Sequence, residues 1–208
     1  MSKSKRLSNL ELLRIITMLV IIAHHYIVNS GVTELYDFQH ISGKMIFAQC
    51  FGWGGKTAIN IFVLISAYFM CQSKLTWKKV LKLYLEIKFY SIVIYAIFLV
   101  TGYTTFSVKG VLKTIFNVAL GVENSFTGSF IAFYLLIPFL KKIIQGISQK
   151  AHLKLCGILV FVFTMISTFS VVNDTYSYIG WYSTLFFIAS YIRLYPNKFT
   201  ECKKYALC

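Results

Sequence analysis

Charge is scarce in this sequence. Asp, Glu, Lys and Arg make up 13% of its residues, about half the roughly 25% of a soluble domain, and that deficit excludes an ordinary water-soluble fold. Acidic groups are scarcer still, seven against 21 Lys and Arg. Two prolines in 208 residues exclude Pro-rich linkers and low-complexity disorder. The five cysteines stand at 50, 71, 156, 202 and 208 with no CxxC or CxxH spacing, so neither a zinc site nor a disulfide scaffold is indicated and no metal is expected. A nucleotide-binding glycine loop is also missing. Gly52, Gly54 and Gly55 precede an apolar helix, not a strand-turn-helix unit.

What is abundant is apolar surface: 57% hydrophobic residues, 17% aromatic, and a mean hydropathy of +0.68. The apolar residues gather in runs at Leu10–Val28, Ile59–Met70, Tyr84–Thr101, Phe130–Ile144, Leu153–Val172 and Ile179–Tyr195. Each, with its flanks, approaches the roughly 20 residues that cross a hydrocarbon core. The expected fold is therefore an all-α, polytopic transmembrane helical bundle, with about six spans. The first run follows Lys3, Lys5 and Arg6 like a signal peptide, but no small-x-small cleavage site follows it and His24-His25-Tyr26 continues it, so it reads as a retained first helix.

The net charge of +14 would suggest nucleic acid as the partner of a soluble protein. Here the basic residues cluster between apolar runs, at 3–6, 74–82, 141–154 and 198–204, as cytoplasmic loops do, where they face lipid headgroups and not nucleic acid. Ser107–Val122 is ambiguous, since Lys109, Lys113 and Asn117 interrupt its apolar residues. If it crossed, the 141–154 cluster would lie outside and break the positive-inside rule. It is therefore expected on the outer surface, or as a shallow re-entrant piece, leaving a multi-pass protein of the cell membrane with both termini cytoplasmic. Trp53 and Trp181 then mark outer helix ends and Trp77 an inner one, Asn29 to Gly52 forms the long external loop, and Pro138 lies within the fourth span.

Ionisable groups within a membrane are functional suspects, and the first span holds Glu11, Arg14, His24 and His25. Arg14 and His25 are 11 residues apart, about 20° apart around the helix and about 16 Å along it, with His24 about 80° away. A guanidinium grips phosphate through a fork, and an imidazole can take a proton from a sugar hydroxyl attacking a thioester, which makes acyl transfer one chemistry this face could support. A proton relay or an anion carrier would use the same residues. The bland alternative is that Glu11 pairs with Arg14 one turn on, the guanidinium snorkels, and the histidines cap the interface. Glu86 and Lys88, early in the third span, are expected to snorkel in the same way.

Asn9-Leu10-Glu11-Leu12-Leu13-Arg14-Ile15-Ile16-Thr17-Met18 followed by Ile22-Ala23-His24-His25-Tyr26 resembles the first helix of the integral-membrane acyltransferase 3 family, whose members include bacterial enzymes that O-acetylate envelope polysaccharides. Gly54-Gly55-Lys56 through Ile61-Phe62-Val63-Leu64-Ile65-Ser66-Ala67-Tyr68-Phe69 resembles its FFxxSG-type helix, and Phe133–Leu140 and Ala189–Pro196 resemble two later segments. Ala67 stands where the family usually has glycine, Ser125 where a tryptophan is expected before Phe126, and Asn29 where polysaccharide-modifying members often carry a further histidine.

The resemblance runs along essentially the whole chain, as a single membrane domain over residues 1–208. It implies that several further spans would complete the family's domain. It also implies transfer of an acyl group, usually acetyl, from acetyl-CoA as donor substrate to a hydroxyl of a polysaccharide or lipid-linked sugar. No permanently bound cofactor is implied. Arg14 would hold the CoA phosphates or pantetheine arm, His25 would be the general base or acyl carrier, and Lys78 and Lys79 (with Lys82) would add positive potential for CoA. His24, Glu11 and Ser66 would support the substrate site, Ser66 more simply as a small residue at a helix crossing. The alternative from a different class is a non-catalytic multi-span protein, a carrier or a remnant that packs on a partner.

Overall fold

The computed structural model describes residues 7–112, 114, 126–166, 168 and 178–196, and among them every regular element is helical. The long helices are α1 (Ser8–Asn29), α2 (Gly43–Gly52), α3 (Gly55–Met70), α4 (Trp77–Val100), α5 (Phe126–Gly146), α6 (Gln149–Val160) and α7 (Tyr178–Leu194). Five stretches are long and apolar enough to cross a bilayer: Ser8–Asn29, Gly43–Met70, Trp77–Val100, Gly128–Gly146 and Gln149–Ile166. The chain is a helical membrane protein. α7 has 17 residues, about 26 Å of helix against a core of about 30 Å, so the described residues supply five crossing lengths where six were expected.

Local chemistry sets the helix ends. Ser42 and Ser148 accept hydrogen bonds from the amides of Met45 and Ala151 at 3.2 and 3.3 Å, each satisfying an amide that the first turn leaves without a partner. α4 closes on Gly102 at φ 72°, a conformation that suits glycine because it has no Cβ. The Tyr103 and Gly102 amides there bond the Phe98 and Leu99 carbonyls at 2.9 and 3.2 Å, while the Tyr103 ring packs 5.4 Å from that of Phe98, the Schellman arrangement with its apolar contact. Pro138 lies inside α5, where it removes the bond to the carbonyl one turn back. α6 runs on as a π-helix over Phe161–Ile166, which no feature of the sequence reading foresaw.

Two expectations change. The stretch from Asn29 to Gly52 is not simply a loop, because Val32–Leu35 forms a 3-10 turn and Gly43–Gly52 forms α2. The reason is visible in the residues: Ser42 caps the helix and Met45, Ala48 and Gly52, at helical spacing, are buried. Lys88, expected to snorkel, is buried, and its ammonium donates to the Thr114 carbonyl at 3.0 Å. A β-carbon placed on Gly110 would come within 2.7 Å of the Tyr95 hydroxyl. The segment after Ser107 thus lies against α4 at both Tyr95 and Lys88, two turns or about 10 Å apart. Its continuation, residues 115–125, lies outside the described residues.

The chain divides into two compact units. One comprises residues up to Phe69 together with those from Ile188 on. In it α1 turns one face toward the α2–α3 turn, where Thr17 and Ile27 are buried and Val20 and His24 meet Gly54 and Gly55. α1 leaves Leu12, Ile15, Leu19, Ile22 and Tyr26 exposed on another face, a stripe that water would penalise and lipid accepts. The other unit, Met70–Phe187, is centred on aromatic rings. Phe133 is fully buried, with Tyr182 and Phe186 at 6.0 and 6.3 Å between centroids, in edge-on geometry that favours such pairs. Lys141 donates to the Ser73 carbonyl at 2.8 Å in this unit, so one lysine of the 141–154 cluster holds a turn.

Candidate functional site

Within the first unit, polar side chains collect at the two ends of α1. At the far end are the two histidines, and the helix treats them differently. His24 is partly buried and its Nδ1 donates to the Gly52 carbonyl at 2.6 Å, while its ring lies against Gly55 so closely that a β-carbon there would overlap it. Only glycine lets the start of α3 approach this ring. His25 is exposed, edge-on to His24 at 5.8 Å between ring centroids. Asn29, one turn on, donates to the His25 carbonyl at 2.9 Å and brings the same amide nitrogen to 3.5 Å from His25 Nδ1. That distance is at the outer limit of hydrogen bonding.

Arg14 is also exposed, with its guanidinium 5.7 Å from the Phe62 ring centroid on α3, a range at which a cation is attracted to an aromatic face. Thr17 bonds back to the Arg14 carbonyl at 2.8 Å. Arg14 and His25 share the flank expected from their spacing, and remain about 16 Å apart along the axis. Glu11 is exposed near the start of α1, and Ser66 is buried within α3 at 4% exposure, the position of a small residue at a helix crossing. Lys78 and Lys79, in the first turn of α4, are exposed members of the second unit. Lys79 donates to the Lys74 carbonyl at 2.9 Å.

At the near end of α1 the structure holds a feature the sequence reading passed over. Asn9 and Leu10 of α1, Leu64 and Tyr68 of α3, and Ile192 and Arg193 of α7 line a cleft of about 520 Å³, within the range of small-molecule sites. Arg193 donates through Nη1 to the Tyr68 hydroxyl at 2.6 Å, with its guanidinium carbon 4.6 Å from that ring's centroid. The arginine is thereby pinned in a partly apolar cleft, where a fork of N–H donors suits a phosphate or carboxylate. A signal for it did exist: the chain uses 18 lysines and only three arginines, two of which, Arg14 and Arg193, stand in apolar runs and not in loops.

Outside the helices, the Gln39 amide and then the His40 side chain hold the Asp37 carboxyl below its usual range, with His40 Nδ1 at 2.9 Å. These groups cap a turn in the 30–42 connection. Among the described residues no three His, Cys, Asp or Glu side chains gather as a metal site would require. No protein-family model, curated protein or solved structure matches the chain, so the reading of this site rests on its residues.

Proposed function

We propose that this chain is a membrane acyltransferase that moves an acyl group, acetyl in the simplest case, from acyl-CoA to a hydroxyl of an envelope or exported polysaccharide or lipid-linked sugar. The observation that supports the reading is that an arginine-bearing cleft and an exposed histidine stand at opposite ends of one helix in one compact unit, Leu10 and His25 lying about 22 Å apart along the axis. In this reading six crossings, with α7 as the sixth, put both termini in the cytoplasm, the cleft at the inner face and His25 at the outer. Arg193 receives a donor phosphate, Arg14 lies along the path of the pantetheine arm, and the thioester reaches His25. The imidazole takes the acceptor hydroxyl's proton as its oxygen attacks the thioester carbonyl, and the CoA sulfur leaves and is protonated. Asn29 steadies the turn that carries His25, and His24 and Ser66 pack the helices.

The test is acyl transfer in membranes holding matched amounts of each variant. His25→Ala is expected to abolish transfer at unchanged protein level. Arg193→Lys keeps the charge and loses the fork; a charge-assisted hydrogen bond contributes about 1.5–3 kcal/mol, so the acyl-CoA requirement should rise about ten- to hundredfold. Substrate flux without acylated product would support a carrier instead. Protein level falling together with activity would make these polar residues structural.

A further inference from the structure

The acyl-transfer resemblance would use one face of α4 only through the positive potential of its first lysines and leaves the apolar stretch beyond them without a role. The chemistry of this face is graded along its length. Lys78, Leu81, Lys82, Leu85, Glu86 and Phe89 line a shallow open groove on this helix. Lys78, Lys82, Leu85 and Phe89 fall within about 60° of helical arc, so they form a single stripe with ammonium groups at one end and hydrocarbon beyond. From Lys78 to Phe89 the stripe runs about 17 Å, close to half of a hydrocarbon core of about 30 Å, the depth of one leaflet. Trp77, one residue before Lys78 and about 100° around the helix from it, is 80% exposed beside the lysine end of the stripe, as a ring at headgroup level is. Leu81, Leu85 and Phe89 are 55–62% exposed, so none of the described residues covers them.

We infer that this stripe binds an anionic phospholipid, its headgroup phosphate on Lys78 and Lys82 and one acyl chain laid along Leu85 and Phe89. Charge and length together specify the occupant. A soluble anion would match the lysines but leave the apolar stripe bare, whereas a partner helix would match the apolar residues but has no stated reason to end in an anion at headgroup depth. The two lysines contribute unequally. Lys82 shares its charge with Glu86 at 3.9 Å, while Lys79 is engaged with the Lys74 carbonyl, so Lys78 carries most of the attraction. The inference does not rest on the acyl-transfer reading and holds whichever leaflet this end of α4 occupies.

The experiment uses the full chain in nanodiscs that contain phosphatidylglycerol or phosphatidylcholine with brominated acyl chains at equal mole fraction. Quenching is read as the difference between the wild type and Trp77→Phe, an exposed position at which the change leaves packing intact, and so reports contact at Trp77 alone. The expected result is a preference of about fivefold for the anionic lipid, one lysine's share, falling to unity in Lys78→Gln/Lys82→Gln and shrinking as salt shortens the screening length. Equal quenching by the two lipids in the wild type would overturn the inference. So would an anionic preference that survives the double substitution.

Discussion

Gly55→Ala is the sharpest test of how the first unit is held together. The added methyl would overlap the His24 ring, and that ring cannot simply swing away, because its Nδ1 donates to the Gly52 carbonyl at 2.6 Å. Two costs follow. Overpacking a close contact costs about 1–3 kcal/mol, and giving up the hydrogen bond costs about 0.5–1.5 kcal/mol, for a combined loss of about 1.5–4.5 kcal/mol. Equilibrium unfolding in mixed micelles reads this loss directly, and a second variant separates the cause from general sensitivity. In a His24→Ala background the ring is absent, so adding Gly55→Ala should cost much less than it does alone. A double-mutant cycle would then return a coupling of more than about 1 kcal/mol. A neutral Gly55→Ala, or costs that simply add, would refute the contact as the reason for glycine at this position.

Other parts of the structure carry their own tests. His152 is fully buried and its Nε2 donates to the Phe187 carbonyl at 3.0 Å, so His152→Leu is expected to lower stability by about 1–2 kcal/mol, measured in the same unfolding assay, and an unchanged midpoint would contradict the role. Lys88→Met removes the bond to the Thr114 carbonyl, and thiol labelling of a cysteine placed at Ser107 should speed up as the segment lifts from α4; an unchanged labelling rate would show that Lys88 does not hold it. In the 30–42 connection the Asp37 carboxyl is held below its ordinary value of 3.8. A depressed acid stabilises above its unfolded value and loses that contribution as pH falls through the folded one. Amide exchange at Gln39 should therefore stay protected down to the ordinary value of 3.8 and lose protection only as pH falls further, after correction for the intrinsic rate, while Asp37→Asn should remove the pH dependence.

The crossing helices were legible because their signal is local. A run such as Leu10–Val28 has to satisfy its backbone within itself, and no distant partner is needed to make it a helix. The relation of Arg14 to His25 was legible for the same reason, since spacing on one helix fixes angle and rise. α2 escaped because its burial pattern of Met45, Ala48 and Gly52 is short and sits in a stretch read as connection. The differing fates of the adjacent histidines escaped because only Gly52 and Gly55, nearly 30 residues away, decide which ring is packed. Lys88 could not be read correctly without Thr114, and Arg193 meets Tyr68 across 125 residues. What remained hidden was tertiary, and it includes the cleft that now anchors the donor end of the proposed site.

The most direct measurement is labelled acetyl transfer from acetyl-CoA into envelope polysaccharide, using membranes that carry this chain or its His25→Ala variant at matched protein level. The account predicts label with the wild type and none with the variant. No label from either chain, or equal label from both, would contradict acyl transfer by His25.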